Sequence, residues 1–167
     1  MVDKGPEVFF FPTLGEVPQD FLKGRKESAL LLDVDQTFLG TLDRSLPSTS
    51  LRFLKKAREA KKRVLLYTNN TGRRVRPIAK EEGLPLLVLA FKPDLRRTLR
   101  FLHKEGLEPQ DVLLFGDQFR TDYKTARRLR TSVVLLSPLS GKDNLWTRFH
   151  RKKDQAQIEK LRKKETL

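Results

Sequence analysis

The chain has no cysteine. That one absence removes disulfides, thiolate zinc sites and cysteine nucleophiles together. Any metal must then be held by oxygen or by the two histidines, His103 and His150, which lie far apart and outside any HExxH spacing. A histidine zinc site is therefore not expected. Long apolar runs are missing too, since none reaches the roughly 18 to 20 residues that crossing a bilayer requires. The opening stretch, MVDKGPEVFFFP, has too short an apolar segment for a signal peptide and no small-residue cleavage site. The expectation is a protein that stays in the cytoplasm, in solution or peripherally on the inner face of a membrane. Internal repeats and low-complexity linkers are also absent.

What is present bounds the rest. With 167 residues, 38% of them hydrophobic, the chain has room for one ordinary domain with its own core. A formal net charge of +14 favours polyanionic partners: nucleic acid, an anionic membrane face or phosphorylated substrates. The other reading of that charge is an ordinary surface rich in arginine and lysine.

Apolar runs alternate with helical segments, the pattern of a parallel sheet with crossover helices. Strands are expected at Ala29–Asp33, Val64–Thr68, Leu86–Ala90, Val112–Phe115 and Val133–Leu136. The first is apolar without alternation, as buried parallel strands are. Between them, a helix is expected behind Ser48 as N-cap, with Leu51, Leu54 and Ala57 on one face. Another spans Arg73 to Glu82 and stops at Gly83. A third opens near Pro93, carries Leu95, Leu99 and Leu102, and ends near Gly106. A short basic helix precedes the last strand, and a polar, basic helix runs from about Asn144.

The reactive residue types fall at the carboxyl ends of these strands: Asp33 and Asp35, Thr68, Lys92, then Asp117 and Asp122. In an open parallel sheet that edge is where ligands bind. A strand-end carboxylate can attack phosphorus, and a second, two residues on, can protonate the leaving oxygen and later take a proton from water. A hydroxyl and an ammonium can hold the phosphoryl oxygens, and further carboxylates can complete a hard oxygen site for Mg²⁺. Phosphate-monoester hydrolysis is slow enough to ask an enzyme for about 10²¹-fold acceleration, so several such groups acting together are expected.

Four phrases now carry a resemblance. Asp33-Val34-Asp35-Gln36-Thr37, Thr68-Asn69-Asn70, Lys92-Pro93, and Gly116-Asp117 through Thr121-Asp122 resemble, in order, the motifs of haloacid-dehalogenase phosphatases, subfamily IIIA. The match covers roughly Phe10 to Pro138. The closer likeness is to the YqeG-like subgroup, whose relatives include mitochondrial phosphatidylglycerophosphate phosphatases. It rests on FFPT (10–13), DVDQT, TNN with Arg74-Val75, AFKP (90–93) and GDQFRTD (116–122). Gln36 replaces that subgroup's usual Asn and Thr68 its frequent Ser; the threonine keeps the hydroxyl, and position 36 points to no obvious role.

The resemblance implies an α/β, Rossmann-like three-layer sandwich with a central, mainly parallel sheet and no cap domain. It implies a phosphatase domain over residues 1–140 and a basic helical tail over 141–167. It implies Asp33 as nucleophile and Asp35 as acid and base, with Thr68, Asn69 and Lys92 binding phosphate. Asp33, the Asp35 carbonyl and Asp117 then hold Mg²⁺, with Asp122 in support. The stretch from Phe38 to Pro47 leaves no room for a cap. An open crevice suits a bulky phosphomonoester, and phosphatidylglycerophosphate is the first expectation. A nucleic-acid end or a soluble metabolite is the alternative substrate. A non-catalytic nucleic-acid-binding module is the alternative of another class, against which the clustered nucleophile and acid argue. Two features have paired readings. Arg73, Arg74 and Arg76 reach a second anionic group or, the preferred reading, form a solvated face. Trp146 and Phe149 beside Arg148, Arg151, Lys152 and Lys153 form an interfacial anchor or pack on the domain. His103 is read as a helix-surface residue without a role.

Overall fold

The computed structural model describes residues 6–139 and 145–165. Its strands are β1 (Val8–Phe11), β2 (Ala29–Asp33), β3 (Arg63–Tyr67), β4 (Leu86–Leu87), β5 (Val112–Gly116) and β6 (Val133–Leu136). Its α-helices are α1 (Gln19–Gly24), α2 (Ser48–Glu59), α3 (Val75–Glu82), α4 (Arg96–Lys104), α5 (Lys124–Leu129) and α6 (Leu145–Glu165). The strands form one all-parallel sheet in the order β1-β6-β5-β2-β3-β4.

Successive side chains of a strand point to opposite faces, and β2 shows what that does here. Leu30 and Leu32 enter a core with Phe53, Leu54 and Ala57 of α2 and Val75, Ile78 and Ala79 of α3. Ala29 and Leu31 enter the opposite core with Phe101 and Leu102 of α4 and Ala126 of α5. A strand buried on both faces has no polar side to spare, hence its continuous apolar run. The result is the expected three-layer α/β sandwich. From β2 the chain builds outward to β3 and β4, then returns through α4 to β5 on the other side of β2. That reversal puts a topological switch point between β2 and β5, where such sheets open a crevice at their carboxyl ends.

Several elements differ from expectation. β1 and α1 were not read as elements. The third expected strand shrinks to Leu86–Leu87, because Leu89 and Phe91 take left-handed φ of 49° and 58° and cannot continue it. α3 begins at Val75 rather than Arg73, and α4 at Arg96, beyond a cis Lys92–Pro93 bond. Ser48 is helical, with Pro47 at the cap position. The buried stripe of α2 is Ser50, Phe53, Leu54 and Ala57; burying Phe53 turns Leu51 outward to 49% exposure. On α4 the buried side is Thr98, Phe101 and Leu102, leaving Leu99 exposed. His103 is exposed as expected.

α6 lies against the domain: Ile158 and Leu161 pack on the second core, and the Arg162 guanidinium sits 5.1 Å from the Phe10 ring centroid. Lys152 and Lys153 face solvent, while the side chains of Trp146, Arg148, Phe149 and Arg151 lie outside the described residues. No helix among the described residues is long and apolar enough to cross a membrane.

Candidate active site

Asp33 ends β2 in register with Tyr67, the last residue of β3. Beyond it the chain winds round a single carbonyl: the Val34 oxygen accepts the N–H groups of Thr37, Phe38 and Leu39 at 3.3, 3.0 and 2.9 Å. Closing so tight a loop puts Gln36 at φ 64°, a conformation most side chains avoid. Position 36 is not idle. Gln36 is buried, its carboxamide bonds Thr41, and its carbonyl accepts the Leu139 N–H at 2.8 Å. The turn is thereby fixed to the segment that follows β6.

The turn sends Asp33 and Asp35 in different directions. Asp33 faces a buried cluster with Lys92, Asp117 and Asp122, all under 8% exposed. Lys92 Nζ donates to Asp33 Oδ1 at 2.5 Å and to Asp122 Oδ1 at 2.8 Å, and lies 4.1 Å from the Tyr67 ring centroid. Asp122 also accepts the Tyr67 hydroxyl at 3.1 Å and the Gln118 N–H at 3.2 Å. Thr37 points its hydroxyl at Asp117, 3.5 Å away. Carboxylate oxygens of Asp33, Asp117 and Asp122 lie within 4.8 Å of one another.

Electrostatics follow from that crowding. Burial first, then Asp122 and Asp117, push the Asp33 carboxyl well above the usual aspartate range, with Lys92 opposing. Burial works to discharge the Lys92 ammonium, but Asp122 and Asp33 outweigh it and hold its pKa above the ordinary lysine value. Burial, Asp122 and Asp33 likewise raise the Tyr67 phenol. Three carboxylates against one ammonium leave a buried excess of negative charge, which a divalent cation offsets. All-oxygen donors suit Mg²⁺, which prefers hard ligands and keeps part of its water shell. The residues present therefore fit such an ion.

Asp35 is half-buried on the other side of the turn. It accepts Thr68 Oγ1 at 2.7 Å, Asn70 Nδ2 at 2.9 Å and Arg74 Nη2 at 3.3 Å. Asn69 engages the backbone of Lys92 in both directions, accepting its N–H at 2.6 Å and donating to its carbonyl at 3.2 Å. It thus fixes the loop that aims the lysine. A pocket of about 320 Å³ opens beside Asp35 between Leu39, Asn70, Arg73 and Leu89.

Arg73 and Arg76 are exposed, Arg73 on the wall of that pocket; the solvated-face reading fails for Arg74. Its guanidinium donates to the carbonyls of Gly40 and Asp43 at 2.6 and 3.2 Å while reaching Asp35. The planar fork of the arginine serves three acceptors from two separate nitrogens, a spread that lysine's compact ammonium does not reproduce. Arg74→Ala is therefore expected to lower kcat by roughly ten- to a hundredfold through a displaced Asp35. Stability should change by about 1 kcal/mol or less for this solvent-accessible pair. Arg74→Lys should not restore kcat, and steady-state kinetics with thermal melts of both variants check this. The available signal was an arginine seven residues after the end of β3; the partner loop was not legible from sequence. Gly116 was legible as part of a motif but not as a steric requirement: a Cβ there overlaps the Asp122 carboxyl.

The open parallel α/β sheet thus gathers acids, a lysine and a threonine at its switch point. Over 158 residues the chain is 27% identical to "Probable phosphatase YqeG" of Bacillus subtilis, covering 93% of this chain and 90% of that protein. The resemblance to YqeG-like phosphatases thus extends along nearly the whole chain. No family model matches. Two solved structures share the fold. One is a hypothetical protein from Xanthomonas campestris, with TM-score 0.51, 20% identity, and 74% of this chain against 72% of that one. The other is an uncharacterized protein from Listeria monocytogenes serotype 4b, with TM-score 0.54, 14% identity, and 71% against 84%.

Proposed function

We propose that the protein is a Mg²⁺-dependent phosphomonoester hydrolase that works through an aspartyl-phosphate on Asp33, with phosphatidylglycerophosphate as its substrate. The phosphatase class is supported by the relative's name and by the length of the match. The observation that carries the mechanism is the Asp33–Lys92–Asp122 chain of ion pairs beside Asp117.

In this reading Asp33 attacks phosphorus as the bond to the leaving oxygen breaks, and Asp35 gives that oxygen its proton. Water then attacks the acyl phosphate, giving its proton to Asp35 and returning Asp33 as a carboxylate. Thr68 and Lys92 meet the phosphoryl oxygens, with Lys92 held in place by Asp122 and by Asn69 on its backbone. Asp33, Asp117 and the Asp35 carbonyl would hold Mg²⁺, and Asp122 serves chiefly as the anchor of the lysine. The ion supplies positive charge against the transferring phosphoryl group. Since Asp35 faces the pocket of Leu39, Asn70, Arg73 and Leu89, the leaving group occupies that pocket.

A lipid phosphate is favoured by the rim. Phe91 is 57% and Leu42 74% exposed, and Leu89 is also exposed. Leu89 and Phe91 are held there by left-handed backbone that is costly for such side chains. The Arg97 guanidinium lies 5.4 Å from the Phe91 ring centroid. Apolar side chains among arginines at an open crevice suit an anionic bilayer surface.

The test is phosphate release from phosphatidylglycerophosphate in mixed micelles and from p-nitrophenyl phosphate, with Mg²⁺ and with EDTA. Mg²⁺-dependent turnover of the lipid is expected, and Phe91→Ser should lower it at least fivefold while sparing the small ester. Turnover of the small ester alone would end the lipid reading and favour a nucleic-acid end or a soluble metabolite. Salt-sensitive DNA binding without turnover of any ester would favour the binding module.

A further inference from the structure

One carboxylate reaches this site from beyond the expected domain boundary. Asp154 belongs to α6, in the basic run Arg151-Lys152-Lys153-Asp154. It is 7% exposed, while Lys152, Lys153, Gln155 and Gln157 face solvent. The backbone N–H groups of Phe119 and Arg120 favour the charged form of its carboxylate, and Arg120 Nε lies 3.6 Å from its Oδ1.

Those two N–H groups open the π-helical turn Phe119–Tyr123, which runs directly into α5. The first N–H groups of a helical segment have no partner within it, and Gln118, at the cap position, supplies no side-chain bond. A carboxylate is the favoured acceptor at such a start. Here it arrives from more than thirty positions later in the chain. The turn it caps carries Asp122, whose carboxylate accepts the Gln118 N–H and the Lys92 ammonium. Burial pushes the Asp154 carboxyl up, while the Arg120 and Phe119 backbone and the Arg120 side chain work against that.

We propose that Asp154 is a positioning residue for the metal site: by capping the turn 119–123 it sets Asp122 against Lys92 and Asp117, making cation affinity depend on α6. The proposal rests on the reading of Asp33, Asp117 and the Asp35 carbonyl as a cation site, with the Asp122–Lys92 pair beside it. It makes the helical tail a part of the active centre rather than an appendage to it. A plainer role for Asp154, as one of several points gluing α6 to the domain, is separated from this by Ile158, which docks the same helix by packing on the second core.

The experiment is a calorimetric Mg²⁺ titration of the full chain without substrate, for wild type, Asp154→Ala, Asp154→Asn and Ile158→Ala. Asp154→Ala should weaken Mg²⁺ binding on the order of tenfold, as loss of an outer-shell partner does. Asp154→Asn keeps an acceptor and should recover most of it. Ile158→Ala should melt earlier yet bind Mg²⁺ like wild type. Unchanged affinity in Asp154→Ala, or an equal loss in Ile158→Ala, overturns the proposal. Absence of Mg²⁺ binding by the wild type overturns the cation site itself. Should Asp154→Ala lack a cooperative melt, amide exchange in Asp154→Asn decides. Selectively faster exchange at Phe119 and Arg120 supports the cap, and unchanged exchange there overturns it.

Discussion

Replacing Asp33 by Asn is expected to abolish turnover, by about 10⁴-fold or more, and at the same time to raise the melting temperature of the metal-free protein by a few degrees. The two effects share one cause. A carboxylate aimed into a buried crevice beside Asp117 and Asp122 stands in unfavourable electrostatic company, and burial adds to that cost. Asparagine keeps the shape and an acceptor for Lys92 while removing one charge. The sign follows from proton counting. A carboxyl with a raised folded pKa holds its proton in the native state after the unfolded chain has released it. Stability therefore falls as pH rises from the ordinary aspartate value, about 3.9, to the raised one. The slope across that window should flatten in Asp33→Asn. Mg²⁺ should stabilise wild type far more than the variant. Thermal melts over a pH series, with and without Mg²⁺, decide the matter. A variant that melts earlier than wild type without metal would show that the Lys92 pair outweighs the repulsion.

Gly116→Ala is the second large effect, and it contains no chemistry at all. Gly116 ends β5, and the Asp122 carboxyl packs where its side chain would begin. Asp122 cannot swing aside cheaply. It is fully buried, bonded by Lys92, Tyr67 and the Gln118 N–H. One methyl group must therefore displace the turn 118–122 or the strand end. Overpacking of this kind costs about 1–3 kcal/mol. Losing the Asp122–Lys92 geometry should remove about a hundredfold or more of the activity. Thermal melts and kcat measurements test this; a variant with wild-type stability and turnover would mean that Asp122 has room the structure does not show.

The residues legible in the sequence share a property: their neighbours in space are dictated by strand ends. β2, β3, β5 and β6 announce themselves as short apolar runs, and in a parallel sheet the next residue of each falls at one edge. Asp33, Thr68 and Asp117 could be placed together on that ground. β1 was not legible because Phe9, Phe10 and Phe11 abut Pro12 and are too few to show a period. What secures β1 is an aromatic cluster with α1: Phe21 lies 4.9 Å from Phe9 and 5.1 Å from Phe11, centroid to centroid. Arg74, Gln36 and Asp154 were beyond reach for a different reason. Each acts on a backbone segment distant in sequence, and backbone carries no residue-type signature. An arginine at 74 says nothing of the carbonyls at 40 and 43. The acid at 154, alone in a run of bases, was the faint exception.

The placement of β1 has a consequence for biosynthesis. Among the described residues this strand pairs only with β6, in the register Val8↔Val133 through Phe11↔Leu136, and Glu7 bonds Ser132, 125 residues further on. During translation the first β-strand therefore waits while almost the entire remaining domain emerges. Until then a phenylalanine triplet and an unpaired strand edge stay accessible to other chains. Closing contacts between such distant positions is slow. A nascent chain stalled before residue 133 is thus the form of this protein most in need of a chaperone.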